Sequence, residues 1–157
     1  DDQGSQFDGQ GNLNNWWSDE DRKLFEERTG KLVDQFNGFH VLDSTYVNGE
    51  LTLGENIADL AGITLSYYAF LKSVEGNEPA PIDGFDYKQR FFLGWAQVWA
   101  SNIKDEEAVR LANVDPHSPT KYRVLGPLNN LNEFHEAFGC KNGDKMVATD
   151  DVKVKIW

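Results

Sequence analysis

Two acidic residues, Glu55 and Asp59, lie four positions apart near the start of an apolar stretch with helical spacing. On a helix they point in the same direction, and the small residues Gly62 and Ser66 continue the same stripe. Spacing alone favours a structural interpretation, in which residues 52–55 form a capping box and Asp59 is solvated. In the alternative interpretation, Glu55 binds a metal ion and Asp59 orients a histidine ligand of that metal.

A second group of reactive side chains is found in Asp115-Pro116-His117-Ser118-Pro119, followed by Arg123. The two prolines stiffen the loop around His117, and Asp115 is close enough in sequence to accept an N–H of the imidazole ring. A rigid loop that presents Asp, His and Arg suits a site that stabilises an oxyanion. A proline-rich turn with a surface histidine and a salt-bridged arginine explains the same residues, so both interpretations stay open here.

Apolar spacing predicts the elements that must position these side chains. We expect helices from about Ser18 to Gly38, Leu53 to Val74, Phe85 to Ile103, Glu106 to Val114 and Leu131 to Phe138. Residues 1–15 are predicted to be a loop or a short hairpin, and residues 39–50 and the stretch bounded by Pro116, Pro119 and Pro127 are predicted to be loops. The tail after Gly143 alternates weakly like a strand. His135 is expected on a solvated helix surface. The predicted fold is therefore mainly α, one compact unit with few short strands.

Composition excludes several classes of partner. The chain has 157 residues, with 26 Asp and Glu against 15 Lys and Arg, for a net charge of −11. This balance argues against binding to nucleic acid or to an anionic membrane surface. The longest charge-free stretches, Leu60 to Leu71 and Phe91 to Ile103, are too short to span a bilayer. Cys140 is the single cysteine, so a disulfide within the chain and a cysteine-based zinc finger are both impossible.

The most specific motif is residues 47–59, Val-Asn-Gly-Glu-Leu-Thr-Leu-Gly-Glu-Asn-Ile-Ala-Asp. Together with the Asp115-x-His117-Ser118-Pro119 block and Arg123, it resembles the neprilysin and endothelin-converting-enzyme family of zinc metalloendopeptidases. Further matching segments are Phe91-Phe92-Leu93, Ala96-Gln97-Val98-Trp99, Asn130-x-x-x-Phe134, Ala137-Phe138-x-Cys140 and Trp157. The resemblance covers essentially the whole chain, and it favours the metal interpretation of Glu55 over the capping box.

The resemblance implies a role for each candidate residue. Glu55 resembles the third zinc ligand, and Asp59 resembles the acid that hydrogen-bonds a zinc-binding histidine. His117, held by Asp115, resembles the residue that stabilises the tetrahedral oxyanion, and Arg123 resembles the arginine that grips a substrate carbonyl. Zinc held by two histidines and one glutamate keeps a position for water. The implied activity is therefore zinc-dependent hydrolysis of peptides.

The H-E-x-x-H motif, which carries two zinc ligands and the general base in this family, does not occur in the sequence. Asp1-Asp2-Gln3-Gly4 resembles the family segment that comes directly after that motif. We therefore expect residues 1–157 to be the C-terminal segment of a thermolysin-like (gluzincin) catalytic domain, with the preceding part of that domain as its partner. The chain alone is expected to bind zinc weakly and to hydrolyse no peptide. The competing hypotheses are a non-catalytic helical interaction module derived from the family and an aromatic carbohydrate-binding module.

Cysteine usage adds an expectation about location. Animal members of the family carry cysteines at the positions of Lys31, Ala100 and Val154, whereas this sequence has Cys140 alone. It also contains no Asn-x-Ser/Thr glycosylation site. The combination indicates a bacterial homologue, and such relatives are commonly extracytoplasmic. We therefore expect the parent protein in the periplasm, at the cell surface or outside the cell.

Overall fold

The helices predicted from apolar spacing are present in the computed structural model, which describes residues 3–156. Within that range the chain forms a 3₁₀ turn (Gly4–Gln6) and, in order, α1 (Asp19–Asn37), β1 (His40–Leu42), β2 (Thr45–Tyr46), α2 (Leu53–Val74), α3 (Tyr87–Val98), α4 (Asp105–Val114), α5 (Thr120–Asn130) and α6 (Asn132–Phe138). The mainly α prediction is confirmed. The motif positions Asp1, Asp2 and Trp157 lie outside the described residues.

α1 begins as its sequence predicts. The Ser18 hydroxyl accepts the backbone N–H of Asp21, and three acidic residues occupy the first turn, near the positive end of the helix dipole. Residues 39–50, predicted to be a loop, instead contain a short antiparallel hairpin in which β1 pairs with β2. α3 is shorter than predicted at both ends: Asp86 and Gln89 form a capping box that starts the helix at Tyr87, and the helix ends at Val98.

α2 has the predicted bounds, but its predicted capping box is wrong. The Thr52 side chain caps no N–H of the helix. Its hydroxyl donates instead to the carbonyl of Asn48 at 2.9 Å. The solvated position considered for Asp59 is wrong as well, because Asp59 is buried. Both acidic side chains of α2 are therefore left for partners elsewhere in the fold.

The stretch predicted as a proline-bounded loop is largely helical. α5 runs through Pro127, which has no N–H to donate to the carbonyl of Arg123 one turn earlier. The indole Nε1 of Trp95 donates to that carbonyl at 3.3 Å, so the helix continues without an unpaired acceptor. Gly126 lets α5 approach α1, because a Cβ at this position would lie 2.3 Å from Cζ of Phe36.

α2 is the central element, because its apolar face contributes to two neighbouring core clusters. The first joins α1, α2, α5 and the tail and includes Leu32, Phe36, Val47, Ile57, Leu60, Tyr122, Val154 and Ile156. The second joins α2 to α3 and α5 and includes Ile63, Tyr67, Phe92, Leu128 and Leu131. α2 packs directly on α5 and on α1. The first turns of α2 are thus held against α5, which carries Arg123.

Two further sequence predictions need correction. His135 is buried rather than solvated, and its Nε2 lies 2.9 Å from the carbonyl oxygen of Met146. The described tail from Gly143 to Ile156 forms no strand, although Val154 and Ile156 are buried as alternation suggested. None of the helices within residues 3–156 combines the length and the hydropathy that a bilayer-spanning segment needs.

Candidate active site

The packing of α2 on α5 brings all five candidate residues into one cluster. Glu55 and Asp59 come from the first turns of α2, Arg123 from the first turn of α5, and Asp115 and His117 from the loop that precedes α5. Residues separated by more than sixty positions in sequence therefore meet, as the contacts between Arg123 and the two α2 carboxylates show.

Arg123 is anchored by a two-point ion pair. Its Nε donates to Oδ2 of Asp59 at 2.7 Å, and one terminal nitrogen donates to Oδ1 at 2.8 Å. The same terminal nitrogen reaches Oε2 of Glu55 at 3.4 Å. The guanidinium carbon lies 4.0 Å from the ring centroid of Trp99, a cation–π distance. The guanidinium is thus held from two sides, by a carboxylate and by an aromatic face.

Burial and the pairing with Arg123 have opposite effects on the pKa of Asp59. Burial raises the pKa of Asp59, and the hydrogen bonds from Arg123 oppose that rise. In turn, the hydrogen bonds to Asp59 raise the pKa of Arg123, so the guanidinium stays charged. A carboxylate oxygen can accept more than one hydrogen bond. Asp59 can therefore accept a further donor while it holds Arg123.

His117 is oriented by the acid two residues before it. Its Nδ1 lies 2.7 Å from Oδ1 of Asp115, and the same oxygen accepts the backbone N–H of His117 at 2.9 Å. These two hydrogen bonds hold the pKa of Asp115 below its ordinary value. The other ring nitrogen, Nε2, lies 3.3 Å from Oε2 of Glu55. The imidazole therefore directs Nε2 toward the site, and about half of its surface stays exposed.

The described part of the chain does not supply three ligands for a metal ion. Among residues 3–156, no group of three or more His, Cys, Asp or Glu side chains could hold a metal ion. Glu55 is 40% exposed, and both of its contacts, to His117 and Arg123, fall on Oε2. A partly exposed carboxylate fits one position of a zinc site whose other ligands lie outside these residues.

A cavity of about 490 Å³ opens beside the cluster. It is lined by apolar side chains that include Val41, Trp99, Ile103 and Leu111, and by polar residues that include His117 and Arg123. The arrangement places hydrogen-bond donors next to an apolar recess.

Sequence reasoning did not assign a role to Trp95, Trp99, Asn56 or Ser118. The Trp99 ring packs on the guanidinium of Arg123, and the Trp95 indole donates to the backbone carbonyl of the same residue. Their spacing of four across the end of α3 was the available signal, because it places both rings on the same side.

The model of Peptidase family M13 matches residues 1–154. The chain belongs to this family. The endothelin-converting enzyme homolog of Locusta migratoria is 44% identical to it over 160 residues, covering 100% of the chain and 22% of the relative. Endothelin-converting enzyme 1 of Cavia porcellus is 42% identical over 160 residues, covering 100% of the chain and 21% of that enzyme.

Two solved M13 structures have the same fold. The inhibitor complex of the Mycobacterium tuberculosis zinc metalloprotease ZMP1 superposes with a TM-score of 0.93 at 39% identity, covering 100% of the chain and 25% of that protein. PEPO from Lactobacillus rhamnosis gives a TM-score of 0.81 at 32% identity, covering 98% of the chain and 23% of that protein. The chain therefore spans between a fifth and a quarter of the length of these M13 relatives.

Proposed function

We propose that this chain is the C-terminal part of the catalytic domain of a zinc-dependent M13 endopeptidase that cleaves peptides. The observation that carries the proposal is the meeting of Glu55, His117 and Arg123 at one carboxylate oxygen, in a chain that belongs to this family. When bound, zinc supplies Lewis acidity toward the scissile carbonyl and a more acidic water molecule.

In this proposal the two α2 carboxylates serve the metal site. Glu55 is one zinc ligand, since its carboxylate is accessible and contacts the other candidate groups through one oxygen only. Asp59 accepts the ring N–H of a zinc-binding histidine supplied by the preceding part of the domain. Its bonds with Arg123 leave acceptor capacity for that histidine.

His117 and Arg123 act on the substrate. Asp115 accepts from Nδ1 and so orients the ring with Nε2 toward the reaction site, where an Nε2–H, when that nitrogen carries a proton, stabilises the oxyanion that develops from the carbonyl. Arg123 donates to a substrate carbonyl through its second terminal nitrogen, which takes no part in the contacts with Asp59 and Glu55. The adjacent cavity receives a substrate side chain.

The preceding part of the catalytic domain is the proposed partner of this chain. It covers the outer face of α2, where Leu65 and Tyr68 are exposed although both are large and apolar. It also brings the H-E-x-x-H motif. The chain alone therefore hydrolyses no peptide and binds zinc weakly. As a separate part of the proposal, the parent protein works outside the cytoplasm.

The test begins with the reading frame upstream of Asp1, where we expect an H-E-x-x-H motif. The longer protein, expressed with zinc, should cleave unstructured peptides, and Glu55→Gln should lose both bound zinc and activity. A matched control is Glu107→Gln, which alters an exposed carboxylate that pairs with Arg110. A zinc-loaded longer protein that cleaves no peptide, or an upstream frame without the motif, would favour the non-catalytic interaction module.

A further inference from the structure

Two pairs of sequence neighbours meet at the candidate active site. Glu55 and Asn56 are adjacent on α2, and His117 and Ser118 are adjacent in the loop before α5. The outer members of the pairs, His117 and Glu55, make the exposed contact at 3.3 Å. The inner members make a buried one, because the Ser118 hydroxyl donates to Oδ1 of Asn56 at 2.7 Å.

The inner bond belongs to a buried series of hydrogen bonds. Nδ2 of Asn56 donates to the Thr52 hydroxyl at 2.9 Å, and that hydroxyl donates to the carbonyl of Asn48 at 2.9 Å. Thr52, Asn56 and Ser118 are 2%, 1% and 3% exposed. A buried polar group that loses its partner is costly, so the loop position that supplies Ser118 to Asn56 is strongly favoured.

We propose that Asn56 and Ser118 are positioning residues that fix the His117 loop against α2. This inference rests on the proposed function of His117. Asp115 sets the direction of the imidazole, but its carboxylate hydrogen-bonds to His117, within the loop itself. The Ser118–Asn56 bond ties the loop to α2, one residue from His117 and one residue from Glu55.

The expected consequence is specific to the chemical step. An oxyanion donor is useful only where the charge develops, and a misplacement of about 1 Å can lower the rate by up to roughly 10²-fold. Arg123 is anchored separately, by Asp59 and Trp99, so loosening the loop leaves the grip on the substrate intact. Loss of the Ser118–Asn56 bond should therefore lower kcat and leave KM unchanged.

The experiment uses the longer, zinc-loaded protein that contains this chain. Ser118→Ala and Asn56→Ala should each lower kcat by about tenfold, and the double variant should be no slower than the slower single variant, because either change already removes the Ser118–Asn56 bond. Ser118→Thr keeps the hydroxyl and should recover most of the rate. The matched control is Ser5→Ala, which removes another buried serine hydroxyl, one that contacts Arg22, and should leave kcat unchanged.

Several outcomes overturn the inference. These are a kcat of Ser118→Ala within twofold of wild type, additive losses in the double variant, or a change in KM as large as the change in kcat. If Ser118→Ala does not fold, Ser118→Cys replaces it, and its weaker donor should again lower kcat alone. His117→Phe is measured in parallel. If it leaves kcat unchanged, the proposed function of His117 fails and the inference falls with it; if it lowers kcat while the Ser118 variants do not, only the inference fails.

Discussion

The candidate active site has two halves that use similar contacts in different surroundings. In the buried half, the Asp59 and Arg123 side chains are 7% and 13% exposed, and the guanidinium of Arg123 rests against Trp99. In the exposed half, the Glu55 and His117 side chains are 40% and 47% exposed. Ion pairs inside a protein are costly to break because a lone charge is left desolvated, whereas exposed pairs contribute little. The buried half is therefore part of the core, and the exposed half is free to respond to a substrate.

The largest expected effect is on stability, in the buried half. Arg123→Met in the 157-residue chain leaves Asp59 unpaired and should lower the free energy of unfolding by about 3 kcal/mol or more, measured by urea unfolding. Arg110→Met is the matched control, because Arg110 makes a similar two-point pair with Glu107 at the surface. It should cost less than about 1 kcal/mol. Equal losses in the two variants would contradict the distinction between the halves.

The next effect is on catalysis, in the exposed half. In the longer enzyme, His117→Phe should lower kcat by about 10²- to 10³-fold with little change in KM, because it removes a donor used mainly in the transition state. The melting temperature should hardly change, since the ring is half exposed. His40→Phe, at another exposed histidine, is the control and should keep full activity. Near-normal kcat in His117→Phe with zinc still bound would return the loop to a purely structural role.

A smaller effect is expected where the aromatic face supports Arg123. Trp99→Leu removes the cation–π contact, worth about 1 kcal/mol, and should raise KM roughly fivefold through a less rigid guanidinium. Steady-state kinetics of the longer enzyme measure this change. Trp16→Leu, at an exposed tryptophan far along the sequence, should leave KM as it is. A fall in kcat with no change in KM would contradict this and would indicate that Trp99 acts on the chemical step, as proposed for His117, rather than on the grip of Arg123.

The smallest expected effect is a difference between the pKa values of Asp115 and Asp59. Hydrogen bonds from His117 place the folded pKa of Asp115 below its ordinary value of 3.8. The stabilisation that Asp115 gives to the folded state is therefore present above pH 3.8 and is lost as the pH falls through the folded pKa. Burial raises the pKa of Asp59, so its effect on the free energy of unfolding has the opposite pH dependence. Its stabilising contribution is fully present below pH 3.8 and is lost as the pH rises through the folded pKa. Carboxyl-carbon NMR should show Asp115 titrating below 3.8 and Asp59 above it. Two titrations on the same side of 3.8 would refute the contrast.

Sequence reasoning succeeded where neighbours within a turn decide the structure. The start of α1 follows from the Ser18 cap, and both ends of α2 follow from apolar spacing. It failed where a distant group intervened. Pro127 lies inside α5, where the indole of Trp95 donates to the carbonyl that the proline leaves unpaired, and Asp59 is paired with Arg123 rather than solvated. No local pattern predicts those partners.

The sequence by itself determined the family, the helical class, and the placement of Glu55 and Asp59 on one stripe of α2. Motif residues and a repeat of about 3.6 positions are enough for these, because both are properties of short segments. Only the tertiary structure decided that Asp59 is buried with Arg123, that Glu55 is left accessible beside His117, and that burial raises the pKa of Asp59. These features depend on how α2 packs against α5 and its preceding loop, since burial and charge pairing are set by groups more than fifty residues apart.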